Sequence, residues 1–169
     1  MRCVRHALKA TRYGNFIGAS ANASSISDGA SALILASESA VNEYGLTPMA
    51  KIVAHSRASR DPAEFTLAPV DAISSLMEKT GWSASDVDLW EINEAFAMVT
   101  MLAMQAHGLD PAKVNVHGGA CAQGHPIGYR GSRIIITLMH AMHHYGKDKG
   151  VAALCIGGGE ATAVAIEKC

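Results

Sequence analysis

The segment 115–131, NVHGGACAQGHPIGYRG, constrains this chain more than any other stretch. Five glycines in seventeen residues suit neither helix nor strand, because glycine gives up more backbone freedom on folding than any other residue. Glycine at that density belongs where the backbone takes an unusual φ or where another group approaches the main chain closely. The loop therefore predicts a close neighbour. His125 stands in it between Gly124 and Pro126, ahead of the apolar run 134–145. At a helix entrance the free N–H groups and the macrodipole oppose a second ring proton, so the imidazole is expected neutral and able to accept one. His125 is the first candidate base. The alternative left open is an imidazole that only hydrogen-bonds the loop.

The rest of the chain alternates strands and helices. Residues 22–30, NASSISDGA, read as a loop feeding a buried apolar strand at 32–36, after which Ser37 caps a short helix ended by Gly45. Residues 51–59 suggest a second strand, and DPAE at 61–64 is a one-turn start with an N-cap and a proline behind it. A helix opens at Pro69, places Val70, Ile73, Leu76 and Met77 on one face, and ends before Gly81. A capped turn at 83–88 leads into an apolar strand at 89–92. The helix that follows, 96–106, is apolar nearly all round and is expected to be buried on most sides. Residues 151–156 form a continuous apolar strand, Gly157 to Gly159 turn the chain, and 161–167 return. The predicted class is α/β, a mixed sheet with an antiparallel strand pair at the C-terminus.

At 169 residues with a formal charge of −1, the chain carries no basic stripe for nucleic acid and no acidic tail, so small-molecule partners are expected. No apolar run reaches the roughly 20 residues of a membrane span. Cys3, Cys121, Cys155 and Cys169 show no paired spacing, which points to free thiols in a reducing, cytoplasmic setting. The basic opening, residues 1–16, lacks the serine richness of a transit peptide. His140 and His144 lie four apart on one helix, but no third ligand accompanies them, so no metal is expected. The glycines at 124, 128 and 131 fit neither the dinucleotide fingerprint nor a Walker A loop.

Asn93, His125 and Cys155 all fall where predicted strands end and loops begin, the usual ligand position in α/β sheets. Cys155 has a plain reading as a buried small hydrophobe. Against it stands Gly157, because backbone N–H groups of a glycine turn beside a thiol and an imidazole make an acyl-transfer arrangement. Asn93 and Glu94 equally fit as helix caps.

With NEAF at 93–96, GHP at 124–126 and CIGGG at 155–159 in that order, the chain resembles the C-terminal half of thiolases, over about residues 20–169. Residues 1–19 match poorly. The wording DLWEINEAFA and VNVHGGACAQGHPIG is similar to the acetyl-CoA acetyltransferase branch, which condenses two acetyl-CoA molecules or cleaves acetoacetyl-CoA. The resemblance implies a layered α/β fold, oligomerisation of the complete enzyme, a coenzyme A thioester as substrate and no permanently bound cofactor. It implies that His125 deprotonates a nucleophilic cysteine and, with a water held by Asn93, binds the thioester oxygen. Cys155 would be the acid/base, Gly157 N–H would hold the acyl oxygen, and Ser24, Ala95 and Phe96 would line the pantetheine channel. The family carries its nucleophile in an N-terminal half, and Cys3 lacks the small-residue surroundings of that cysteine. Tyr129 and Arg130 stand where thiolases have two small residues, and Ser25 and Ser27 replace Gly and Asn. The expectation is a catalytic half that is silent without its partner half. The competing readings are a non-catalytic domain that binds coenzyme A or a protein partner, and a cysteine hydrolase using Cys155 and His125.

Overall fold

The computed structural model describes residues 22–169 and the backbone of two short strands, β1 (Thr11–Tyr13) and β2 (Phe16–Gly18), which pair antiparallel. Cys3 and most of the basic opening lie outside the described residues, as does much of the expected 1–19 segment. The remaining strands are β3 (Ala50–Ser59), β4 (Leu89–Ile92), β5 (Lys149–Ile156) and β6 (Glu160–Lys168). They form one mixed sheet in the order β3-β6-β5-β4. β5 and β6 are an antiparallel hairpin, β3 runs antiparallel to β6, and β4 runs parallel to β5 with Ile92 opposite Ala153. The C-terminal antiparallel pair and the mixed sheet are as the sequence predicts.

Helices cover both faces of this sheet. They are α1 (Glu38–Tyr44), α2 (Ala68–Thr80), α3 (Ala97–His107), the single turn α4 (Ala120–Gln123) and α5 (Arg130–Tyr145). On one face Ala72, Ile73 and Leu76 of α2 and Val99 and Ala103 of α3 pack with Trp90, Ile92, Val151, Ala153 and Cys155. On the other, Ile134, Leu138, Ala141 and Met142 of α5 pack with Leu89, Ala152 and Leu154. A strand covered on both sides must be apolar throughout rather than alternating, which is why VAALC at 151–155 is buried at every residue.

Local signals hold where the interaction is local. Ser37 Oγ accepts from Ala40 N at the start of α1, and Gly45, Gly81, Gly108 and Gly146 end their helices in the left-handed conformation. Two expectations fail. Residues 32–36 form no strand, and Ile34 and Leu35 are 94% and 76% exposed. Extended backbone needs a neighbouring edge for its N–H and C=O groups, and this segment has none among the described residues. Helix α3 buries Met98, Val99, Thr100, Leu102 and Ala103 but exposes Met101, Gln105 and Ala106, so its apolar surround is covered on one side only.

Candidate active site

β4 and β5 run parallel, so both deliver their last residues to the same end of the sheet. Asn93 is the first residue past β4. Its N–H donates to Ala153 O (2.9 Å), and its side chain is fully buried. Along β4 the residues alternate: Trp90 and Ile92 face α2 and α3, whereas Glu91 faces α5, where its Oε1 accepts from Arg133 Nη1 at 2.6 Å. Asn93 continues that side, and its Oδ1 accepts from Arg133 Nη2 at 3.3 Å. Arginine has no acceptor, so the Asn93 amide is oriented without ambiguity and its Nδ2 faces His125 Nδ1 at 3.2 Å.

His125 reaches this point on the glycine loop, where its N–H donates to Ser25 O (2.9 Å). The close neighbours that the glycines predict are the chain's own side chains. A Cβ on Gly119 would run into the Glu94 carboxylate, and one on Gly124, which has φ +93°, would run into Ser27 Oγ. Glu94 in turn accepts from Cys121 N and Asn115 Nδ2. The helix entrance, however, lies at Arg130, five residues beyond His125. The imidazole pKa is lowered, mainly by burial and then by the charges of Arg130 and Arg133. The expected neutral ring therefore has a different cause from the one the sequence suggests.

Cys155 lies near the end of β5 and is 2% exposed, packed on the α2 and α3 side with Ala153 and Ala161. Asn93 and Cys155 thus point to opposite faces of the sheet at the same end. The thiol makes no hydrogen bond to His125. Arg130 links the two, since its Nη1 lies 3.3 Å from His125 Nε2 and its charge acts on both groups. Burial pushes the Cys155 thiol up to about 11, against the opposing pull of Arg130, so it is held protonated. Gly157 is exposed at the turn with open space before its Cα. Ser24, Ala95 and Phe96 do come together: Ser24 N and Oγ both donate to Ala95 O (3.2 and 3.1 Å), and Ala23 bridges Phe96. Asn93, His125 and Arg130 thus lie in contact, and the charge of Arg130 reaches the Cys155 thiol as well.

Residues 46–168 match the thiolase C-terminal domain family. The chain belongs to the thiolase family, as its C-terminal domain. It is 48% identical over 147 residues to the acetyl-CoA acetyltransferase of Thiocystis violacea, covering 87% of this chain and 37% of that protein. With the cytosolic acetyl-CoA acetyltransferase of Mus musculus the identity is 46% over 148 residues, 88% of this chain and 37% of the relative. The crystal structure of the Bacillus anthracis acetyl-CoA acetyltransferase superposes with a TM-score of 0.87 at 43% identity, over 90% of this chain and 39% of that one. The Acat5 thiolase of Ascaris suum in complex with coenzyme A superposes at 0.82 with 41% identity, over 92% and 40%. The chain spans at most two fifths of the length of these relatives.

Sequence reasoning missed the charged support of this cluster. Glu91 and Arg133 are 2% and 7% exposed and form a buried ion pair. Burial, the larger influence, raises Glu91 to about 7, and Arg133 pulls it back down. The signal was present as an acid, Glu91, inside the apolar run LWEI and an arginine, Arg133, directly before the isoleucines of α5. Asn115 was also missed. Its φ is +50°, and its side chain takes Ile92 N at Oδ1 and gives Nδ2 to Ile92 O and to Glu94, closing the end of β4. Among the described residues no cluster of three or more potential metal ligands occurs.

Proposed function

We propose that this chain is the C-terminal catalytic half of an acetyl-CoA C-acetyltransferase, acting on acetoacetyl-CoA or acetyl-CoA and silent without a half that carries the nucleophilic cysteine. The observation that carries this reading is the Arg133–Asn93–His125 chain of contacts, which fixes the amide and holds the imidazole ring, whose pKa burial lowers. In thiolysis, His125 removes the proton of the partner half's cysteine, and the thiolate attacks the 3-oxo carbon of acetoacetyl-CoA. The bond between C2 and C3 breaks, and its electron pair stays on C2 as the enolate of acetyl-CoA. Cys155, protonated at rest, gives its proton to that carbon. The Cys155 thiolate then takes the thiol proton of CoA, whose sulfur attacks the acetyl group, and the partner's cysteine leaves by taking back the proton held on His125. A thiol is held ready as the acid, which suits this direction. Ser24, Ala95 and Phe96 lie together as a wall for the pantetheine arm, and Gly157 N–H is the donor for the acyl oxygen.

Supporting observations lie outside the site. Ile26, Ile34, Leu35 and Ile127 are 93%, 94%, 76% and 64% exposed, the kind of apolar surface that a second half covers. The complete enzyme is proposed to be cytoplasmic and homo-oligomeric. Arg130, set against the outward nitrogen of His125, favours a second reading, a domain that keeps the thiolase shape without the chemistry. The test is CoA-dependent loss of acetoacetyl-CoA absorbance with and without an N-terminal half bearing the cysteine. Turnover only with the partner supports the catalytic reading. No turnover from a complex that forms supports the second.

A further inference from the structure

The hydrogen-bond geometry around His125 is internally incomplete. Arg133 can only donate, so it faces Asn93 Oδ1, and Asn93 Nδ2 must point its hydrogens at His125 Nδ1. Nδ1 is then an acceptor, and the neutral imidazole carries its proton on Nε2. That N–H is directed at Arg130 Nη1, 3.3 Å away, which is itself only a donor. Two donors face one another with no acceptor between them. Arg130 also lacks a counter-charge, because no carboxylate pairs with it among the described residues, whereas Arg133 has Glu91 and Arg60 has Asp71. α5, which Arg130 begins, has neither a side-chain N-cap nor an acid in its first turn, so its positive end adds to the same field.

We propose that Arg130 and His125 Nε2–H form a two-donor site for a small carboxylate. A carboxylate accepts from the guanidinium with one oxygen and from the imidazole with the other, and it supplies the negative charge that half-buried Arg130 lacks. A neutral carbonyl satisfies the same donors geometrically but brings no charge, so it competes poorly with water for a guanidinium. The proposal concerns a free anion and does not require a partner half or turnover.

The test uses the full 169-residue chain labelled with 15N, with the His125 ring resonances assigned by comparison with His125→Asn. Sodium acetate is titrated against sodium chloride at equal ionic strength, with acetamide as the neutral isostere and acetyl-CoA as a separate arm. The expected result is an Nε2–H tautomer whose ring resonances shift saturably with acetate and not with chloride or acetamide. Arg130→Ser should weaken acetate roughly tenfold or more, the worth of a charged hydrogen bond, and Arg130→Lys, which keeps the charge without the fork, should fall between. A proton found on Nδ1, a response that chloride reproduces, or equal acetate binding by both Arg130 variants overturns the proposal. A saturable shift with acetyl-CoA and none with acetate overturns it too, and assigns the donors to the thioester of the catalytic reading.

Discussion

Replacing Arg133 by methionine should remove the support beneath the site and leave Glu91 buried without its partner. Glu91 is 2% exposed and Arg133 is 7% exposed, and breaking a pair this deeply buried costs about 3–5 kcal/mol when the remaining charge has no other partner. The remaining carboxyl has an escape, which is to take up a proton. Its folded-state pKa is already about 7, raised from 4.5. In the native chain the folded state therefore holds a proton that the unfolded state releases between about pH 4.5 and 7, so this group lowers stability as pH rises through that window. Without Arg133 the folded pKa climbs further, and the penalty becomes strongly pH-dependent. At pH 5 both forms are protonated and the loss should be about 1–3 kcal/mol, a hydrogen bond and some packing. At pH 8 it should reach about 3–5 kcal/mol, or roughly 10 °C in midpoint for a domain of this size. Urea unfolding of the 169-residue chain at the two pH values measures both, with Glu91→Leu/Arg133→Met as the control that removes the charge as well. A single-variant loss under about 1 kcal/mol at pH 8, or a double variant no more stable than the single, would refute the claim that this pair fastens α5 to β4.

Two further outcomes are expected. Cys155, at about 11 rather than 9, should carry roughly 100-fold less thiolate at pH 8 than an unperturbed thiol; native iodoacetamide labelling at a free peptide's rate would show that the thiol is not buried. Gly159 has φ +93° and its Cβ would meet the Arg60 carbonyl, while Gly157 has open space, so Gly159→Ala should cost about 2–4 kcal/mol and Gly157→Ala under about 1; equal unfolding midpoints would contradict the turn geometry.

What the sequence disclosed follows from the range of each interaction. Ser37, Gly45 and Gly81 act within a turn or two of their own position, and all were legible. The glycine loop announced a close approach, but the approaching groups, Glu94 and Ser27, lie 25 and 97 residues away along the chain from Gly119 and Gly124, and periodicity says nothing about them. The same limit hid the Glu91–Arg133 pair, whose members are 42 residues apart. Residues 32–36 have strand-like composition, yet composition supplies no partner edge. Ile134 of the apolar run 134–145 lies in the core at 2% exposure, and the large exposed apolar side chains include Ile26, Ile34, Leu35 and Ile127. Tyr129 and Arg130 stand where thiolases have two small residues, at the start of α5. Both are only half-buried; Tyr129 lies against Gly29 and Arg130 turns to His125.

The most direct test of the catalytic reading is acetoacetyl-CoA thiolysis by the chain reassembled with a cysteine-bearing N-terminal half, comparing native sequence, His125→Ala, Cys155→Ser and Cys3→Ser. Turnover that appears only with the partner, is lost with either His125→Ala or Cys155→Ser, and is untouched by Cys3→Ser is the predicted result. Turnover that survives His125→Ala, or that the lone chain sustains with Cys3→Ser, would contradict it.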